Sequence, residues 1–250
     1  MISNSKVKSI LHLTLILTSA LMIFSCNSST ESTSETESSS VGQDGFKQIF
    51  DGKSFTDWDG DTSVWRIDSG SFIGEVTPTK QIQTNTFLIW RGEKPTDFEL
   101  KAEYRISQGG NSGIQYRSEE LSDIPHALKG YQADIDGENT YTGQNYEERG
   151  RGFLAMRGQR VNLEANQKPI ILDSVGNSDE LKSHIKTNDW NEIHLVVKGN
   201  NMKHYINGIL MSEATDNDST ARKSEGVIGF QVHVTPSMKI EYKNIRYKKS

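Results

Sequence analysis

The sequence predicts an all-β fold, a sandwich or jelly roll built from one domain over residues 45–250. Three observations carry this expectation. Short runs alternate apolar and polar residues at period two. Turn residues (Gly, Asn, Asp) punctuate those runs at steady spacing. Helical periodicity is scarce, the best match being a short turn from Ser178 to His184.

The elements follow in order. Trp65–Asp68 and Ser71–Glu75 flank Ser69–Gly70 and read as a hairpin. Phe87-Leu88-Ile89-Trp90 is a short apolar strand. Phe98 to Ile106 alternates strictly over its whole length. Gly109-Gly110-Asn111 turns the chain, and Ser112 to Arg117 resumes the alternation. Tyr131-Gln132-Ala133-Asp134-Ile135-Asp136 follows, with Gln132, Asp134 and Asp136 on one parity. Trp190 to Gly208 reads as strand, turn and strand. Val227–Val234 and Met238–Tyr247 close the pattern. Thr140–Gly158 breaks it: this stretch is dense in Tyr, Glu, Arg and Gly, and long polar insertions on a β scaffold are where binding residues tend to sit.

Residues 1–26 read as an export signal. Lys6 and Lys8 precede an apolar run from Ile10 to Phe24, closed by Ser25-Cys26. The run is short for a membrane span. Cys26 is the only cysteine. A small residue followed by Cys at the end of such a run resembles a bacterial lipobox, which makes Cys26 the expected lipidation site and mature N-terminus, an anchor that does not cross the membrane. Residues 27–44, NSSTESTSETESSSVGQD, have too few apolar side chains to order themselves and read as a disordered tether. The formal net charge is −5, from 28 basic and 33 acidic residues, and no basic stripe offers itself to nucleic acid.

The parities of three strands suggest a shared polar surface. Gln115 and Arg117 lie on one, Gln132, Asp134 and Asp136 on the second, Gln231 and His233 on the third. Any one of these could be the solvated side of a strand. As a set they are rich in groups that make directional bonds to hydroxyls.

Several phrases together resemble one family: FDGKSFTDW at 50–58, DFEL at 97–100, GNSGI at 110–114 with Arg117, GYQADID at 130–136, DWNE at 189–192, YING at 205–208, GFQVH at 229–233 and NIR at 244–246. The chain is similar in these to the 3-keto-disaccharide hydrolases, from Gly45 to Lys249. The resemblance implies a concanavalin A-like jelly roll of two antiparallel sheets, a carbohydrate substrate, and an exported lipoprotein in the envelope of a Gram-negative bacterium. It departs at one point. Where many relatives carry GyEvQ, this chain has Gln132 in the Glu position and Asp134 in the Gln position.

The activity so implied is cleavage of a 3-keto-glycoside. The ketone acidifies the C2 proton, so one base can start an elimination that expels the group on C1. Under that expectation His233 is base or acid, Arg117 stabilises the enolate oxygen, and Asp134 or Asp136 acts as base, orients His233, or joins it in holding a divalent cation. Gln115, Gln132 and Gln231 would bind substrate. So would Trp90 by stacking, Glu75 from the rim, and Glu148 and Arg151 from the irregular insertion. The alternative is a carbohydrate-binding module without turnover.

Overall fold

The structure is a computed structural model that describes residues 41–250. The expected signal, tether and lipidation site at Cys26 lie outside the described residues.

In chain order the strands are β1 (Lys47–Gln48), β2 (Trp58–Asp59), β3 (Trp65–Asp68), β4 (Ser71–Val76), β5 (Thr86–Trp90), β6 (Phe98–Ile106), β7 (Asn111–Glu120), β8 (Leu128–Asp136), β9 (Asn145–Glu148) and β10 (Gly152–Ala155). They continue with β11 (Gln159–Leu163), β12 (Ile170–Ser174), β13 (Asn191–Lys198), β14 (Asn201–Ile206), β15 (Ile209–Asp216), β16 (Val227–Val232) and β17 (Met238–Lys249). Among the described residues one short helix, α1 (Ser178–Ser183), interrupts them, its first amides capped by the Asn177 side chain.

Two sheets form. One has the order β12-β11-β15-β14-β13-β6-β17-β4-β3, with β1 added to β17; the other has seven strands, β10-β9-β8-β7-β16-β5-β2. Every pairing is antiparallel except β11 with β15. The fold is thus an all-β, concanavalin A-like jelly roll.

Period-two patterning decides which face of each strand is buried. In β6, Phe98, Leu100, Ala102, Tyr104 and Ile106 are buried while Glu99, Lys101, Glu103 and Arg105 point outward. In β8, Tyr131, Ala133 and Ile135 join the same core. Aromatic rings bridge the sheets: Phe230 of β16 meets Tyr242 of β17 edge to face at 4.6 Å.

The outer face of the seven-stranded sheet is divided. Phe87, Ile89, Leu128 and Val227 make a small apolar cluster on one part of it. The rest is polar, and there the candidate site lies.

Candidate active site

A cleft of about 250 Å³ opens on the polar part of that outer face. Its floor comes from register. Gln115 of β7 lies opposite Gln132 of β8, and Gln132 lies opposite Tyr146 of β9, so the three side chains share the outer face. Gly113 lies opposite Asp134, and a Cβ at Gly113 would stand 2.7 Å from the Gln132 side chain. The missing side chain is what lets Gln132 lean across β7 toward β16.

Three glutamines link two carboxylates. Gln132 donates from Nε2 to Asp134 Oδ1 at 2.9 Å. Its Oε1 accepts from Gln115 Nε2 and Gln231 Nε2, each at 3.2 Å. Those same two amides donate to Glu148 Oε2, at 2.8 Å and 2.6 Å. Asn85 donates to the other Glu148 oxygen at 2.9 Å, while its carbonyl oxygen accepts from the backbone N–H of Val234 at 3.0 Å. The direction of every amide is therefore fixed from both ends of the chain.

Burial raises both carboxyl pKa values. Asp134 is pushed up to about 8, first by loss of solvation and then by the negative charges of Asp136 and Glu148, against the opposing hydrogen bond from Gln132. Glu148 is also raised, chiefly by burial, with the bonds from Asn85 and Gln115 pulling the other way. Among the described residues Gln132 is the only side chain bonded to the Asp134 carboxylate, so Oδ2 is left to face the cleft. His233, just past β16, completes that side. It is half-buried, with Nδ1 2.9 Å from the Val234 carbonyl oxygen. The opposite wall is aromatic, made by Tyr141, Tyr146 and Phe153.

Of the side chains singled out from sequence, Gln132, Asp134, Glu148, Gln231 and His233 line this cleft, and Gln115 supports it from beneath. Five others stand elsewhere. Arg117 was expected on the Gln115 parity, but its φ is +48° and the β7–β8 register shifts between Tyr116 and Glu119, so the alternation breaks there. The buried guanidinium donates to the carbonyl oxygens of Thr96, Gly199 and Lys223 and to Asp97, tying three loops together.

Asp136 ends β8 and turns its carboxylate back on the next residues. It accepts from the backbone N–H groups of Thr140, Tyr141 and Thr142 and from the Thr142 hydroxyl. All its work is in the turn. Trp90 shares its parity with Leu88 and is buried against Tyr247 of the facing sheet, ring centres 4.9 Å apart and tilted by 50°, so it packs in the core. Glu75 pairs with Arg66 on the β3–β4 hairpin of the other sheet. Arg151 faces away from the cleft, bonded to Glu147 and Asp216, which Tyr131 also holds.

Sequence reasoning missed Asn85, Asn111, Tyr141, Tyr146 and Phe153. Tyr146 sat in the stretch marked as irregular, and its pairing with Gln132 is a matter of register that no local pattern reveals. Asp134 and His233, offered from sequence to a divalent cation, both border the cleft. Among the described residues no three His, Cys, Asp or Glu side chains gather at ligating spacing.

Fold and cleft together define a concanavalin A-like jelly roll with a carboxylate- and amide-lined groove on one sheet. The chain belongs to the 3-keto-alpha-glucoside-1,2-lyase-like domain family, whose model matches residues 45–248. A curated relative, the 3-keto-disaccharide hydrolase of Bacteroides thetaiotaomicron, is 26% identical over 240 residues, covering 83% of this chain and 79% of its own. The fold is similar to that of a putative glycosyl hydrolase from Parabacteroides distasonis, with TM-score 0.54, 19% identity, and coverage of 83% of this chain and 94% of that one. It is likewise similar to a Bacillus licheniformis β-glucanase, with TM-score 0.50, 11% identity, and coverage of 82% and 97%. Family and curated relative support a glycoside hydrolase-type function.

Proposed function

We propose that this protein cleaves the glycosidic bond of 3-keto-glycosides by removing the C2 proton, with Asp134 as the base. The observation that carries the reading is the Asp134 carboxylate, poised near neutral pKa with one oxygen toward the cleft. A base works best when its pKa lies near the working pH.

The chemistry runs as an elimination. Asp134 takes the C2 proton, and the C–H electron pair moves to form the C2–C3 enolate. His233 and the amide edge of Gln231 lie on one side of Asp134 and suit the developing oxygen at C3. The enolate then expels the oxygen on C1. Tyr146, on the other side, has its hydroxyl pKa raised by burial and by the Glu148 and Asp134 charges, which keeps it protonated and able to donate to that departing oxygen. Water adds across the C1–C2 double bond, oxygen to C1 and proton to C2, giving the 3-keto sugar and the free alcohol. Glu148 serves by fixing Gln115 and Gln231, since its two oxygens are already engaged.

The test is incubation with 3-keto-trehalose beside trehalose, with and without chelator, for the wild type and His233→Ala. Release of 3-keto-glucose from the oxidised sugar alone supports the reading, and undiminished turnover by His233→Ala removes that residue from it. A second reading, a carbohydrate-binding module, is favoured by the exposed rings of Tyr141 and Phe153. It predicts binding of both sugars and turnover of neither.

A further inference from the structure

The cleft has two halves of different chemistry, and Asp134 stands at the boundary. Strands in a sheet are spaced roughly 4.8 Å apart. From β8 the polar side runs two strands, through β7 to β16, where Asn111, Gln231 and His233 line it. In the other direction it also runs two strands, through Tyr146 of β9 to Phe153 of the edge strand β10.

The second half is built of aromatic faces. Phe153 stacks on Tyr141 with ring centres 6.0 Å apart and meets Tyr146 edge to face at 5.1 Å. Phe153 is 46% exposed and Tyr141 40%. Exposed, clustered apolar rings beside a polar cleft mark a contact surface. The platform is also preorganised. The loop carrying Tyr141 is held from within by the four bonds to Asp136, and the buried Arg157 donates to the carbonyl oxygens of Asn139 and Thr142. These three side chains present ring faces, with the two phenol hydroxyls as their only hydrogen-bonding groups.

We propose that Tyr141, Tyr146 and Phe153 form the leaving-group subsite, and that it selects a flat aromatic alcohol at C1 over a second hexose. The assignment rests on the 3-keto-glycoside reading: C2 over Asp134 and C3 toward His233 direct C1 toward Tyr146 and the rings beyond.

The test compares phenyl and methyl 3-keto-α-glucosides, with 3-keto-trehalose as a third substrate, for wild type, Phe153→Ala and Phe153→Tyr. The measured quantity is the phenyl-to-methyl ratio of kcat/KM within each variant, since comparing ratios cancels the better leaving ability of phenolate. Phe153→Ala should lower the ratio about tenfold, the scale of one lost aromatic contact, and Phe153→Tyr should keep it. An unchanged ratio in Phe153→Ala overturns the proposal. So does an equal fall in the trehalose-to-methyl ratio, which would make the subsite a sugar site. If wild type turns over none of these substrates, the activity reading fails on its own. Calorimetric titration with phenyl and methyl α-glucoside then decides the subsite: a phenyl preference lost in Phe153→Ala supports it, and no preference in wild type overturns it. The Phe153 ring is exposed, so a matching melting temperature certifies that the variant is folded.

Discussion

Gln132 donates its side-chain amide to Asp134 at 2.9 Å, two residues along the same strand. These are the two positions at which the sequence departs from the GyEvQ phrase of the family it resembles. The carboxylate lies on the strand position opposite Gly113, which carries no side chain of its own, and the amide lies where β7 and β16 supply partners.

Replacing that carboxylate separates catalysis from stability. Asp134→Asn should lower kcat/KM on a 3-keto-glycoside by about a hundredfold or more. In the wild type, kcat/KM should rise with pH and level off above a pH of about 8, as the base loses its proton. The folded pKa lies above the ordinary 3.8, so the folded state holds this proton more tightly than the unfolded state. Wild-type stability therefore falls as pH rises from about 4 through 8 on account of this group. Melting curves of Asp134→Asn and wild type should converge near pH 4, with the variant the more stable at pH 9.

Glu148 accepts from Asn85, Gln115 and Gln231. In Glu148→Gln an NH₂ group would face donors, and one buried amide loses its acceptor. Urea unfolding should show a loss of about 1–3 kcal/mol. KM should rise as the Gln132–Gln231 floor loosens.

Arg117 should matter to folding and not to chemistry. Arg117→Met strands the carbonyl oxygens of Thr96, Gly199 and Lys223. The expected cost is about 2–3 kcal/mol by denaturant titration. The kcat and KM of the folded fraction should stay near wild type. A large fall in kcat without loss of stability would return Arg117 to the reaction.

The proposed anchor is tested by Cys26→Ser. Fractionation of cells should find the wild type with membranes and the variant in the soluble fraction. Equal partition of both would remove the lipid.

The legibility of this fold in the sequence followed period two. The β6 and β8 alternations gave the right buried faces because both strands run regularly. Gln132, Asp134, Gln231 and His233 could be grouped for that reason. Arg117 failed because one residue with positive φ and a register shift reversed its direction, which side-chain type does not announce. Asp136 kept its parity, yet its carboxylate is spent on the turn that follows. Trp90 read as a stacking residue from its polar neighbours, while its own strand pattern buried it with Leu88. The aromatic wall was hidden because Tyr141, Tyr146 and Phe153 meet through a loop and two strand pairings, contacts that are local in space and irregular in sequence.

The central claim is that the C2 proton leaves before the glycosidic bond is broken, with Asp134 receiving it. The most direct measurement is the kinetic isotope effect on kcat/KM for a 3-keto-glucoside carrying deuterium at C2. A primary effect in the wild type, with turnover all but lost in Asp134→Asn, is the predicted result. Equal rates for the two isotopologues, together with cleavage of the corresponding unoxidised glucoside at the same rate, would contradict it.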